Sequence, residues 1–108
     1  KAPLNSYHQI ASKLDQSIIN TVSLEDAHRY NDLSLLENFT QTKIIFGLVK
    51  IASSEEETID EIQSRIRNAL KHIKIEQLMA APDCGLGHLP RDLAKNKLKT
   101  MVEAVKDF

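Results

Sequence analysis

The segment Lys43 to Ile51 (KIIFGLVKI) constrains the fold more than any other stretch of the 108-residue chain. Its apolar run is nearly continuous rather than alternating, the pattern of a strand covered on both faces, as in a parallel sheet. What flanks it fits that reading. The β-branched cluster Ile18-Ile19 and Thr21-Val22 predicts a shorter strand ending near Leu24. Leu78-Met79-Ala80-Ala81 predicts a third strand, closed by Pro82.

Helical patterns fall between and around these strands. Ser6 to Gln9 has the S-x-x-Q form of a capping box, followed by Tyr7, Ile10, Ala11 and Leu14 on one face. Asp32 is placed to cap a short helix with Leu33, Leu36 and Phe39 as its apolar positions. The strongest helix carries Ile59, Ile62, Ile66, Leu70 and Ile73, with Thr58 and Glu61 as a capping box. Glu55 to Glu57 would sit at the positive end of its dipole, and Lys71, His72 and Lys74 at the other. A last helix after Pro90 would turn Leu98, Met101, Val102 and Val105 inward.

The order α-β-α-β-α-β-α, with no linker or low-complexity tract, predicts an α/β fold of parallel βα units with right-handed crossovers. Three strands leave two long edges that need covering or further strands. A closed (β/α)8 barrel takes about 250 residues, so this chain is either a small open domain or the tail of a barrel. Self-association, or a partner that supplies the rest, is expected from the apolar faces around Ile44, Ile45, Leu48 and Val49.

Charge excludes one class of partner. Fourteen basic against fifteen acidic residues give a net charge of −1, without the basic surplus that a nucleic-acid binder needs. No apolar run approaches the roughly 20 residues that span a bilayer, and no signal peptide is visible, so no membrane is expected. The lone cysteine permits no internal disulfide and predicts a reducing, cytoplasmic setting. The chain begins with Lys1 rather than methionine, which suits a piece of something longer.

In parallel α/β folds ligands bind beyond the carboxyl ends of the strands. The residues there are Ser23, Glu25, Asp26 and His28 after the first strand, Ala52 and Ser53 after the second, and Asp83, Cys84 and His88 after the third. Glu25 and Cys84 are the pair suited to a metal, since carboxylate and thiolate are both zinc ligands, but a catalytic zinc takes three protein ligands. Each has a plainer reading: Cys84 as a buried inert thiol, Glu25 or Asp26 as a helix cap, and His28, His72 and His88 as solvated side chains. Gly85-Leu86-Gly87 before a helix is a weak phosphate-binding pattern with no P-loop lysine.

The run Ala81-Pro82-Asp83-Cys84-Gly85-Leu86, then Leu89-Pro90-Arg91-Asp92, Lys97-Leu98 and Met101-Val102-Glu103-Ala104, resembles the last βα unit of the cobalamin-independent methionine synthase family. The L-P-R-D form is closest to its short, catalytic-domain-only members. Upstream, Val22-Ser23-Leu24-Glu25 followed by Asp32-Leu33-Ser34-Leu35-Leu36-Glu37 resembles the family's strand that ends in a metal-binding glutamate. The resemblance runs from about Val22 to Phe108. It implies the carboxyl-terminal three βα units of a TIM (β/α)8 barrel, with zinc as cofactor. It also implies Glu25 and Cys84 as two of four zinc ligands; Asp83 and His88, by their place in the same loop, are expected to orient it and so support them. The family's H-x-C ligand pair has no counterpart here. The implied reaction is transfer of a methyl group to the thiol of homocysteine, with a folate or a methyl-corrinoid as donor. Ala52 stands where folate-using members carry a histidine, which leaves the donor open. The chain alone is expected to be inactive. The alternatives are an alkyltransferase acting on another thiol, or a non-catalytic α/β assembly module.

Overall fold

The computed structural model of the chain describes residues 5–108. Helix α1 spans Asn5–Asp15, strand β1 Thr21–Leu24, and a 3-10 helix Leu33–Asn38. Strand β2 spans Lys43–Val49, helix α2 Ile59–Ala69, strand β3 Leu78–Pro82 and helix α3 Arg91–Val105, with a single 3-10 turn at Ile75–Gln77. The strands form one parallel sheet in the order β1-β2-β3, with Val22 opposite Ile44 and Phe46 opposite Ala80. Because all three run the same way, the loops after β1, β2 and β3 share one rim.

Several local expectations hold. Asp32 caps the 3-10 helix by accepting from the Ser34 amide. Thr58 and Glu61 form both halves of a capping box on α2. Others need correction. Ser6 already lies inside α1 and does not cap it. Ile18 and Ile19 precede β1 instead of opening it: Ile18 is 97% exposed, and Ser17 turns the chain by donating to the Leu14 carbonyl while its hydroxyl accepts from the Ile19 amide. Strand β2 ends at Val49, two residues short of Ile51. Helix α2 ends at Ala69, so Lys71, His72 and Lys74 lie past its last turn, where His72 meets Glu37.

One face of the sheet is covered. Ile44, Phe46 and Leu48 are buried on the side where Ile62, Ile66, Met101 and Ala104 complete the core. On the other face Ser23 and Met79 are exposed and Ile45 is half-buried. The expectation of a β2 covered on both faces is thus met on the helix side and, on the other, only toward the carboxyl end, where Asp83 covers Gly47.

Helix α3 meets its expected inward face in part. Met101 is buried and Val105 packs against the core, but Leu98 and Val102 are 39% and 48% exposed, while Ala104 and Lys97, the latter only 1% exposed, turn inward. The helix turns a lysine inward because that lysine has partners: Lys97 Nζ donates to the Lys50 carbonyl at 3.1 Å, the Glu55 carbonyl at 2.7 Å and Glu57 Oε1 at 3.1 Å. Glu57 Oε2 accepts from the Lys50 amide, so Glu57 closes the β2–α2 loop and does not serve the α2 dipole. A buried ammonium is tolerated only when its hydrogen bonds are made, and these three make them.

Candidate metal-binding rim

Strand β3 delivers Asp83 to the rim, where burial and hydrogen bonding act on it in opposite senses. Its side chain is 1% exposed. Oδ1 accepts from the amides of Asp26 and Ala27 at 3.0 Å each, and Oδ2 accepts from the His28 amide at 2.9 Å and contacts His28 Nδ1 at 2.8 Å. Burial pushes the Asp83 pKa up, but the bonds from Ala27, His28 and Asp26 outweigh it and hold the carboxyl below its ordinary value. The carboxylate therefore fastens the loop after β1 to the end of β3, across the intervening strand.

The crossing depends on Gly47 in β2. A Cβ built there would lie 2.0 Å from Asp83 Oδ1 and 3.0 Å from its Cα. Only a residue without a side chain lets the carboxylate through. The backbone cooperates: pairing of β2 with β3 shifts register between Gly47 and Val49, and the Asp83 amide donates to the Val49 carbonyl.

Glu25 and Cys84 are both exposed, one on each side of this fastening: Glu25 directly precedes Asp26, and Cys84 directly follows Asp83. The reading of Cys84 as a buried inert thiol is therefore incorrect. Asp26 is turned the other way. Its carboxylate is buried, takes the Asn31 amide at 2.8 Å and side-chain nitrogen at 3.1 Å on Oδ1, and is clasped by Arg65 on Oδ2. Arg65 in turn lies over the Tyr30 ring, 4.2 Å from its centroid. Of the two neighbouring acids, Glu25 alone is presented to solvent.

His28 is exposed to solvent as expected, but its ring is also hydrogen-bonded on both nitrogens. Besides Asp83 it meets the β2–α2 loop, where Nε2 accepts from the amides of Ile51 at 3.2 Å and Ala52 at 3.1 Å. His88 is exposed in the loop between β3 and α3. The Asp83 carboxylate thus makes its bonds to residues 26–28 and not to its own loop.

The roles of Gly47, His28 and Lys97 escaped the sequence reading. A glycine inside an apolar strand run is the signal for close backbone approach, and Lys97 occupies the helical stripe of Met101 and Ala104. For His28 no sequence signal existed, because its partners lie 55 and 23 or more residues away.

Among the described residues no three His, Cys, Asp or Glu side chains gather as a metal site. Thiolate and carboxylate suit zinc in kind, but two donors fall short of a closed or catalytic shell. Among the described residues, too, no helix is long and apolar enough to cross a membrane.

A parallel α/β sheet with polar groups gathered on the carboxyl-end rim defines a class of ligand-binding and catalytic domains. Within that class the chain belongs to the cobalamin-independent synthase catalytic domain family, whose profile matches residues 4–107. It is 34% identical over 103 residues to a methionine synthase of Pyrococcus abyssi, covering 94% of this chain and 30% of that protein. A methionine synthase of Methanocaldococcus jannaschii is 32% identical over 108 residues, with 92% and 35% covered. The fold superposes with a TM-score of 0.87 on a B12-independent methionine synthase from Shewanella sp. W3-18-1, solved in complex with selenomethionine. That match has 27% identity and covers 94% of this chain and 30% of the other. The chain spans about a third of the length of the curated relatives it matches.

Proposed function

We propose that this chain is the carboxyl-terminal three βα units of a (β/α)8 barrel that transfers a methyl group to the thiol of homocysteine. Glu25 and Cys84 would be its contribution to the zinc site. The observation that carries the reading is the pair of exposed donors flanking the Asp83–Asp26 hydrogen bond on the rim. Membership of the family supports it, and so does coverage of only about a third of the relatives' length. The uncovered face with Ser23, Ile45 and Met79 suits the interior of a barrel whose other strands lie outside these residues.

When bound, zinc would hold the acceptor sulfur as a thiolate at neutral pH. The chain's own residues have narrower tasks. Cys84 supplies a thiolate on the short loop leaving β3. Glu25 supplies a carboxylate whose backbone is fixed, its carbonyl accepting from Asn31 at 2.8 Å and its neighbour Asp26 bonded to Asp83. The side chain is then the movable part, able to loosen as a substrate sulfur enters. Asp83 supports the pair from behind, and His88, exposed in the loop between β3 and α3, would be the second residue to orient that loop. Ala52 offers no proton donor, which keeps a methyl-corrinoid beside a folate as candidate donor. The lone exposed thiol fits a reducing cytoplasm.

The test is zinc binding by the chain alone and after combination with the preceding two thirds of the Pyrococcus abyssi relative. The chain alone is expected to bind zinc weakly and to lack activity. The combined protein is expected to bind one zinc and to methylate homocysteine, losing both with Cys84→Ser. Tight tetrahedral zinc on the isolated chain, or zinc and activity surviving Cys84→Ser, would overturn the reading. Methylation of other thiols but not of homocysteine would move it to the second acceptor class.

A further inference from the structure

His28 has both ring nitrogens engaged, and the two engagements are not alike. Nε2 faces two backbone N–H groups, those of Ile51 and Ala52. An N–H can only donate, so Nε2 must offer its lone pair and carry no proton. Nδ1 lies 2.8 Å from Asp83 Oδ2, an oxygen that already accepts from the His28 amide. With Nε2 bare, a neutral ring carries its one proton on Nδ1, where Oδ2 lies within reach to accept it. The fold therefore dictates one neutral tautomer, Nδ1–H. It is the reverse of the Nε2–H form that a free imidazole prefers in water.

The consequence is mechanical. Asp83, directly after β3, fixes the amides of Asp26, Ala27 and His28, and the ring of His28 passes the restraint to the loop after β2. Lys97 holds that second loop from the far side through Lys50, Glu55 and Glu57. Three loops from three strands become one hydrogen-bonded unit, with His28 as its central joint. We propose that His28, locked as the Nδ1–H tautomer by Asp83, is a positioning residue that sets the loop bearing Glu25 against the loops after β2 and β3. Its bearing on metal binding rests on the reading of Glu25 given above; the tautomer and the joint do not.

Long-range proton–nitrogen NMR on the 108-residue chain, at about pH 8 where imidazole is neutral, reads the tautomer without any substitution. The expected spectrum has His28 Nδ1 protonated and Nε2 bare. An Nε2–H tautomer, or the averaged shifts of a solvated ring, would overturn the proposal. Two variants test the joint by hydrogen exchange at Ile51 and Ala52. His28→Gln keeps an acceptor near the Nε2 position and is expected to leave protection within about threefold of the parent, whereas His28→Asn reaches Asp83 only and is expected to lose on the order of tenfold. Equal protection in the parent and His28→Asn would refute the joint. Failure of the combined protein to bind zinc, with the tautomer intact, would refute the metal reading and leave this one standing.

Discussion

Alanine at position 47 would place a methyl carbon 2.0 Å from Asp83 Oδ1, so the carboxylate must leave the amides it serves. The Gly47→Ala variant is expected to lose about 2–3 kcal/mol, combining overpacking with orphaned buried amides, read as a lower urea midpoint. An unchanged midpoint would mean that Asp83 has another seat. Lys97 is the second residue with a large expected effect. Lys97→Met strands Glu57 and two carbonyls and is expected to cost about 3 kcal/mol, with Glu57→Gln in the same chain restoring part of it. A fully additive double variant would show that the two do not interact. Acid sensitivity belongs at this scale too. Asp83 and Asp15 both titrate below their ordinary values; in Asp15 partial desolvation is outweighed by bonds from Gln41, Thr40 and Thr42. Carboxyls with depressed folded-state pKa values add stability above the unfolded value, near 3.9, and lose it as pH falls through the folded one. The urea midpoint is expected to stay level down to about pH 5 and to fall steeply below pH 4. A midpoint rising on acidification would contradict the sign.

Elements were legible where a single periodicity or cap governs them. Strand β2, the Thr58–Glu61 box and the Asp32 cap all announce themselves in local sequence, and Thr58→Ala is expected to cost about 1 kcal/mol by thermal denaturation. The phase of α3 was legible only in part, because an apolar count assigns Leu98 and Val102 inward while the three acceptors that draw in Lys97 come from distant residues. Substitution decides between the two phases. Leu98→Gln and Val102→Gln are expected to stay within about 0.5 kcal/mol of the parent, whereas Met101→Ala should lose about 2–3 kcal/mol. The reverse ranking would restore the sequence-based phase. At the site, Glu25 and Cys84 could be named from the sequence as residues following strands. The inward turn of Asp26 toward Arg65, and the crossing of Asp83 over Gly47, are long-range facts that no local pattern carries.

At the scale of the molecule, β1 and β3 each leave one edge without a partner among the described residues, and one sheet face carries no helix. Such surfaces favour association, so sedimentation is expected to show concentration-dependent self-association, relieved when the further strands of the proposed barrel are supplied. The account as a whole turns on whether residues 25 and 84 can grip one cation. Cadmium titration of Glu25→Cys tests this in the isolated chain, since two thiolates at a common mouth chelate where a lone thiolate does not. The variant is expected to bind cadmium on the order of 100-fold more tightly than the parent, with the thiolate charge-transfer absorption of a two-sulfur site. Affinity no greater than that of Cys84 alone would show that the two positions never share a ligand, and the proposed metal site would fall.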